Sequence, residues 1–585
     1  MNDTKNVILA IVLSLLVLVG WGFISDRYFP TANPPSTTFV DGKQVPLPQP
    51  KADPTADSPS AVRDRRQVLA ESPRVRIQSP HLAGSINLRG ARIDDLVLTQ
   101  HSETIAANSP PVRLFSPAGA PLPYFGSFGW TGEGVAVPGP DTVWQANGDL
   151  LAPGRPVTLS WNNGQGQVFQ IVLSVDEGYM FTADQRVLNR GGGAIAVRPF
   201  SLVSRAGESV DPDSWTVHVG PMGVFNGEAN YGFNWEDVRE EGAAFNSRGG
   251  WLGFTEKYWL AAAIPDQASQ VDAAFRHNAG TDSYQADFSA PAVIVQPGQA
   301  SGYTSRLFAG AKEEAWLDRY SAALGTRLDK AIDWGWFEWF MKPIYWVLRN
   351  LFALLGNFGL AIIGLTFLVR LIMFPLAQKQ FKSMAQMRVV QPKMKAIQER
   401  YKDDRPRMQE EMMKLYREER VNPMAGCLPI LLQIPIFYAL YKVLLVSVEM
   451  RHQPFYLWIK DLSAPDPLTP LNLFGLLPFT PPAIIAVGIL PLLLGVTMWM
   501  QFRLNPTPMD PIQKQVFGLM PWVLMFVMAP FAAGLQLYWV TNNLLTIAQQ
   551  KWLYSRHPIL KERGESGLGL LTPATPEPKP GRKSR

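Results

Sequence analysis

The chain has a single cysteine, Cys427, among its 585 residues, so no disulfide can form within it. Disulfides are therefore no guide to its compartment, because an exported domain need not contain any. Histidine is scarce, at six residues. Residues 60–325 show no metal-ligand spacing, no nucleophile elbow and no phosphate-binding loop. His218 and His277 stand alone there and read as surface or internally satisfied histidines. Charge of one sign does not dominate: 54 Lys and Arg against 49 Asp and Glu leave a net +5, which matters only for where it falls. The long apolar runs contain no acidic side chain.

Those runs are the informative part. The first, Asn6 to Ile24, is longer than the apolar region of a signal peptide. It ends in Trp21, Phe23, Tyr28 and Phe29, with no Ala-x-Ala cleavage site, and reads as an uncleaved span. A second run, Asn357 to Pro375, carries Arg370. A guanidinium cannot shed its charge, and placing one at the centre of a spanning helix costs roughly 2.5–3.5 kcal/mol. One reading is function. The other is snorkelling toward the end marked by Lys379, roughly 13 Å away along a helix. Further spans are expected at 426–448, 481–502, 516–531 and 534–547, about six in all. The last two are short and close together, so a re-entrant pair is the alternative to two true spans.

Between the first two spans the character changes. Residues 31–62, rich in Pro, Ser, Thr and Asp, read as a disordered tether. Short β-like runs follow, among them Val75–Gln78, Val168–Val175, Thr216–Val219, Trp251–Phe254 and Tyr258–Ala261, with no helix expected before Glu313. That pattern predicts one large antiparallel β-sandwich. From Asp333 to Asn350 the residues Trp334, Trp336, Phe337, Trp339, Phe340, Tyr345 and Trp346 crowd among charges, which suits a helix lying in the membrane interface.

Basic residues set the orientation. They fill 379–420, flank 503–514 and fill the tail from Lys551 to Arg585, whereas 451–480 has few. The basic segments are then cytoplasmic, and residues 31–330 lie outside. Within 376–424, Met387, Val390, Met394, Ile397 and Tyr401 make a heptad seam, Asp403–Arg407 breaks it, and Met408, Met412 and Leu415 resume it. The product is a cytoplasmic helical hairpin with Arg400, Lys402, Arg405 and Arg407 on its surface. Those charges either recruit a partner or solvate a short coiled coil. Thr366, one turn before Arg370, and Gln433, Tyr538, Trp539, Thr541, Asn542 and Asn543 are polar groups able to line a wet cavity around it. Pro429 and Pro435 should irregularise the helix that holds Gln433.

The runs Gly364–Arg370 with Pro375–Met384, Asn422–Phe437, Trp458–Ala464 and Gly534–Leu544 resemble the signature of the YidC membrane-protein insertases. The likeness covers nearly the whole chain and is looser in the outer domain, where Gly249–Tyr258 carries it. It implies a polytopic α-helical membrane protein of about six spans, with an inserted all-β periplasmic sandwich domain and a cytoplasmic helical hairpin. The organisation expected is a span over 1–30, a tether over 31–62, the sandwich over 63–325, the interfacial helix over 330–352, a second span over 353–376 and the hairpin over 377–424. Spans at 425–448, 481–503, 515–531 and 533–553 follow, with a periplasmic loop at 449–480, a cytoplasmic loop at 504–514 and a basic cytoplasmic tail at 554–585.

The resemblance further implies insertion of inner-membrane proteins, alone or with the Sec translocon, without cofactor or bond chemistry. The site would be a hydrophilic groove holding Arg370, Thr366, Gln433, Trp539, Tyr538 and Asn542. Trp539 departs from the tyrosine some members carry. Nascent membrane proteins, the Sec translocon, membrane lipid and a ribosome met by the basic segments are the expected partners. The rival class is a secondary transporter or channel with Arg370 as an anion site, against which no inverted repeat is visible. For the outer part alone the rival is a sugar-binding or sugar-modifying sandwich.

Overall fold

A computed structural model describes residues 37–40, 43–46, 62–211, 217–402, 404–419, 428–474, 476–477, 486–504 and 511–556. The first expected span and the tail beyond 556 lie outside those residues. The chain divides into two compact units between Gly335 and Trp336, with Val446–Glu449 grouped with the first. Within the tether, Thr37–Val40 pairs antiparallel with Lys43–Pro46, a local ladder that the polar composition of the region conceals.

The first unit is a β-sandwich of a nine-stranded and an eleven-stranded sheet. Alternation explains the inner strands. Along Gln167–Val175 every second residue is buried, and each pairs in register with Met180–Asn189, from Gln167 opposite Asn189 to Val175 opposite Phe181. The long strand Ala300–Ala311 lies on the other side of Met180–Asn189 and also pairs with Trp259–Ile264. In the second sheet, Ile195–Ala206 is flanked by Tyr124–Glu133 and Ser283–Ser289. The sheets meet closely: a Cβ at Gly126 would come within 2.5 Å of Leu307, and Gln185 donates across the interface to the Gly129 carbonyl at 2.7 Å. Phe169, Phe181, Phe254, Phe275, Phe288 and Phe308 are buried in the core. Each contributes about 1.5–3 kcal/mol relative to exposure.

Among its described residues three α-helices punctuate this unit: α1 (Arg65–Ala70), α2 (Trp235–Glu240) and α3 (Glu314–Leu324). The first two correct the expectation of no helix before Glu313. Six residues are too few for a 3.6-residue period to show, but α2 carries a capping box, with Asn234 and Asp237 each accepting the other's amide at 2.9 Å. The strand expected at Thr216–Val219 is also corrected. Thr216 lies outside the described residues, Val217 makes a single bridge, and the strand is Gly220–Phe225. Helix α3 is tied to the sandwich by Tyr320, whose hydroxyl donates to Asp176 at 2.7 Å and accepts the Tyr179 amide at 3.0 Å.

The second unit is helical: α4 (Glu338–Leu355), α5 (Phe358–Ile372), α6 (Phe374–Arg400), α7 (Arg405–Glu418), α8 (Leu428–Val446), α9 (Ile489–Leu504), α10 (Pro511–Met528) and α11 (Ala533–Arg556). The interfacial element starts at Glu338 rather than Asp333, and Trp334 is a buried residue of the first unit. Helix α4 is amphipathic: Met341, Tyr345 and Leu348 are buried, while Trp336 just before it and Trp339 and Trp346 along it are 81%, 70% and 63% exposed. Gly356, at φ +66°, ends α4, and the Asn357 side chain caps α5 by accepting the Leu360 amide at 3.1 Å.

Among the described residues no helix is long and apolar enough to cross a membrane. The run expected as the second span shows one cause. It divides at Met373, leaving α5 with 15 residues, about 22 Å against an apolar core of about 30 Å. Pro375, in the first turn of α6, suits a helix start there. Helix α8 runs unbroken through Pro435, contrary to the irregularity expected.

Close packing leaves several glycines of the sandwich no room for a side chain, Gly310 among them. A Cβ on Gly310 would meet the Tyr179 ring at 2.1 Å, whereas one on Gly302 has nothing nearer than 3.8 Å. Gly310→Ala should lower sandwich stability by about 1–3 kcal/mol and Gly302→Ala by under about 0.5 kcal/mol. Thermal unfolding of the full chain in detergent measures both; equal melting temperatures for the two variants contradict the packing described.

Candidate functional site

Arg370 lies near the C-terminal end of α5, and its guanidinium reaches α11. Its Nε and Nη2 donate to Asn542 Oδ1 at 2.9 and 2.7 Å, and Nη2 also donates to Thr546 Oγ1 at 2.5 Å and to the Asn542 carbonyl at 3.5 Å. All its hydrogen bonds among the described residues thus go to neutral groups. Two carboxylate oxygens would quench the charge; an amide and a hydroxyl solvate it and leave it net positive. Nη1 takes part in none of these bonds.

The other groove candidates are brought near without all joining this network. Gln433 on α8 donates to the Tyr538 hydroxyl at 2.5 Å, binding α8 to α11. Tyr538 is one turn before Asn542, on the same face of α11. The Thr366 hydroxyl does not turn to Arg370. It donates to the Ile362 carbonyl of its own helix at 2.7 Å, a common resting place for a helical threonine. Trp539 packs edge-on against Phe437, with centroids 5.0 Å apart, and its buried Nε1 has no partner among the described residues. Asn543 instead faces α9, donating to Thr497 Oγ1 at 3.1 Å.

Thr546 was missed by the sequence reading, as were Gln549 and Gln550, whose buried Nε2 and Oε1 have no partner among the described residues. The signal was present: 538, 542, 546, 549 and 550 recur at the three- and four-residue spacing of one helix face. Lys442, a buried cation within α8, was overlooked as well.

The opposite ends of these helices are closed by the loop Met450–Leu477. It supplies the Leu462 and Ala464 carbonyls to the Gly534 and Ala533 amides at 2.9 and 2.7 Å, capping the start of α11. Asp466 does the same for α9, accepting the Leu490 amide at 2.7 Å, where a carboxylate also suits the helix dipole. Asn357, ahead of α5, donates to the Pro454 carbonyl at 3.3 Å, and Gly359 has no room for a side chain because Phe455 would lie 2.0 Å from its Cβ. One loop therefore covers the N-termini of α5, α9 and α11, and Arg370 lies toward the far end of α5.

The hairpin is formed by α6 and α7. Val390, Met394 and Leu415 make its core, with Ile397, Met412 and Tyr416 packed against them. The turn is set by Asp404, which accepts the Arg407 amide at 3.2 Å. Lys393 pairs with Glu419 at 2.5 Å, and that bond raises the lysine's pKa. Arg400, Lys402 and Arg407 are exposed, while the side chains of Met387 and Arg405 lie outside the described residues.

The sandwich presents no comparable site. Its buried carboxylates are committed: Asp94 to Arg74, Asp95 to Arg65 and Arg113, and Asp287 to Arg276. Burial raises the pKa values of Asp94 and Asp287 despite those arginines. Burial pushes Glu313 up too, but bonds from His101 and Tyr179 outweigh it and hold the carboxyl below its usual range. His218 and His277 bond to the Pro221 carbonyl and to Asp282. A cavity of about 300 Å³ is lined by Arg92, Phe128, Trp130, Trp144 and Phe200 and contains no carboxylate. Among the described residues no group of His, Cys, Asp and Glu is placed to hold a metal ion.

Comparison with known proteins divides the chain in the same way. The family model described as the 60Kd inner membrane protein matches residues 345–561, and that of the YidC periplasmic domain matches 74–347. The membrane protein insertase YidC of Zymomonas mobilis is 49% identical over 567 residues, covering 96% of this chain and 97% of that protein. The one from Methylorubrum extorquens is 43% identical over 605 residues, covering 97% and 98%. A solved structure, an active YidC insertase with the first transmembrane domain resolved, is 18% identical, covers 92% of this chain and 98% of its own, and has a TM-score of 0.35, too low to add to the assignment.

The Arg370–Asn542 contact predicts a coupling. Asn542→Leu leaves the cation short of its main acceptor and should destabilise the helical unit by roughly 3–5 kcal/mol, against about 1.5–3 kcal/mol for Thr546→Val. Arg370→Met should restore most of what Asn542→Leu loses. Hydrogen exchange of α5 and α11 in detergent reads all of these, and additive losses in the Arg370→Met/Asn542→Leu pair contradict the contact.

Proposed function

The chain belongs to the YidC family of membrane protein insertases, and from that premise we propose how its own residues carry out insertion. It is a membrane protein insertase of the inner membrane with a periplasmic β-sandwich domain, and its substrates are nascent membrane proteins. The family is one of insertases rather than of enzymes. The transporter or channel reading finds no support among the relatives.

In the proposed mechanism Arg370 is the cation of a hydrophilic groove that opens toward the cytoplasm and lipid. A polar or acidic segment of the client must cross an apolar core of about 30 Å. A half-depth wet groove shortens that path, and a net positive guanidinium draws the segment in electrostatically. The single observation that carries this reading is that Arg370 is held by Asn542 and Thr546 rather than by a carboxylate, so its charge stays available to a client. Gln433 and Tyr538 tie the groove walls together, and the unpartnered polar atoms of Trp539, Gln549 and Gln550 suit a wet lining. The apolar segment of the client then slides along α8 and α11 into lipid. No bond is made or broken.

The rest of the proposal follows the charge distribution. Six spans place both termini in the cytoplasm and residues 31–330 in the periplasm. The hairpin of α6 and α7 receives clients, and the basic tail meets the polyanionic ribosome. Insertion proceeds alone or beside the Sec translocon, with lipid as the receiving phase.

Two experiments test this reading. Arg370→Lys should keep most activity, whereas Arg370→Ala should lose about tenfold or more for clients with acidic translocated tails and less for neutral ones. Protease protection of a translocated tail in proteoliposomes measures it, and equal insertion of both client types by the alanine variant removes the electrostatic role. Replacing 384–418 by a short linker should leave a folded membrane unit that no longer inserts clients, because the hairpin core of Val390, Met394 and Leu415 is its own. Normal insertion by that variant removes the hairpin from the mechanism.

A further inference from the structure

The loop 450–477 buries Met450, Ile459 and Leu462, but it also buries polar side chains while exposing large apolar ones. The polar side chains it buries include Asp466 and Thr469, 5% and 3% exposed. Their needs are met internally: Asp466 accepts from Trp458 Nε1 at 2.9 Å and from the Leu468 and Leu490 amides at 3.0 and 2.7 Å, and Thr469 donates to Asn472 at 3.0 Å. Ser463 likewise donates to Asp461 at 2.6 Å. The large side chains it exposes are, Lys460 apart, apolar. Tyr456 and Leu457 form one tip, 55% and 87% exposed, and Leu473, Phe474 and Leu476 a second, 53%, 52% and 82% exposed. Lys460 is the one exposed charged residue among the loop's described residues.

A single exposed leucine needs no explanation; two clusters of large exposed apolar side chains on one short loop do. The backbone agrees. Leu457, Leu473 and Phe474 hold φ at +63°, +50° and +59°, a region that bulky side chains avoid unless the surroundings impose it. The exposed apolar surface also continues onto neighbouring helices, at the end of α4 and the start of α9. Leu354, 79% exposed, precedes the Asn357 that bonds to Pro454, and Leu492, 40% exposed, follows the Leu490 that bonds to Asp466.

We propose that this loop is an interfacial anchor: its two tips insert among the glycerol groups and first methylenes of the outer leaflet, with Lys460 at the level of the lipid phosphates. The occupant of the apolar surface is lipid. Continuity with the helix surfaces of an inner-membrane protein and the exposed Lys460, three residues from Leu457, both favour it. The inference rests on the reading of this loop as the periplasmic connection between two spans. It also deepens that reading, because a loop that caps α9 and α11, accepts a bond from the Asn357 that caps α5 and is itself held at the interface sets the depth of Arg370, about 20 Å along α5 from Asn357.

The test uses the full chain in vesicles of phosphatidylethanolamine and phosphatidylglycerol, with the lone cysteine removed as Cys427→Ser. An environment-sensitive fluorophore is attached at Leu457→Cys, at Leu473→Cys and, as a water-exposed control, at Glu133→Cys. Both loop positions are exposed, so neither substitution opens the core. Lipid with a nitroxide high on its acyl chain should quench both loop labels several-fold more than the control, and aqueous iodide should quench them several-fold less. Iodide quenching equal to that of the control places the loop in water and overturns the proposal. Protection from both quenchers places it against protein and also overturns it; loss of that protection on dilution into lipid identifies a second copy. Client insertion is read in the same vesicles. Normal insertion with the loop in water sinks the anchor and leaves the insertase reading intact, whereas lipid-quenched tips without insertion leave the anchor and count against the groove.

Discussion

The arrangement of the helical unit depends on one cation that has no anion. Arg370 cannot lose its proton, and the groups α11 offers it are an amide and a hydroxyl. Neutral acceptors satisfy its directional needs without cancelling its field. In the proposed mechanism a carboxylate there would be less useful, since a client would have to compete with a permanent counter-ion. The polar face of α11, from Tyr538 through Asn542 to Thr546, follows from this need, and the Gln433–Tyr538 bond extends it to α8.

A site of this kind is only as good as its depth, and the loop over the helix N-termini bears on that. Backbone amides at the start of an α-helix have no intrahelical partner, so something must accept from them. Here Leu462 and Ala464 serve α11, and Asp466 serves α9. Those bonds, with the Asn357 bond to the Pro454 carbonyl ahead of α5, hold three helices in a common frame. Gly359 and Gly534 permit the close approach, with Phe455 against one and the Leu462 carbonyl 3.2 Å from the Cβ position of the other.

Legibility differed between the parts for physical reasons. Strands such as Gln167–Val175 were readable because burial on one face imposes period two on the sequence. Helices α1 and α2 were not, because six residues fall short of the repeat that reveals a helix. The second span, read from hydropathy alone, overran its helix: the run through Pro375 is interrupted at Met373, a division that composition does not record. In the site, Arg370 was legible as a charge in an apolar run, and Asn542 as a polar group in another. That Thr366 bonds its own helix, and that Thr546 completes the guanidinium's set, depend on rotation and register between α5 and α11.

By itself the sequence determined the identities that matter chemically: a permanent cation in an apolar run without acidic neighbours, a β-patterned insert, a heptad seam bounded by Asp403–Arg407 and the family those motifs belong to. These are local properties, carried by residue type and spacing along one element. Tertiary structure decided which groups meet. The acceptor for Arg370 lies on α11, far along the chain; the cap of α9 is an aspartate in the preceding loop; and that loop's exposed apolar clusters appear only once Asp466 and Thr469 have folded inward. Pairing across elements depends on helix packing and loop geometry, to which residues distant in sequence contribute together, so no single stretch of sequence contains it.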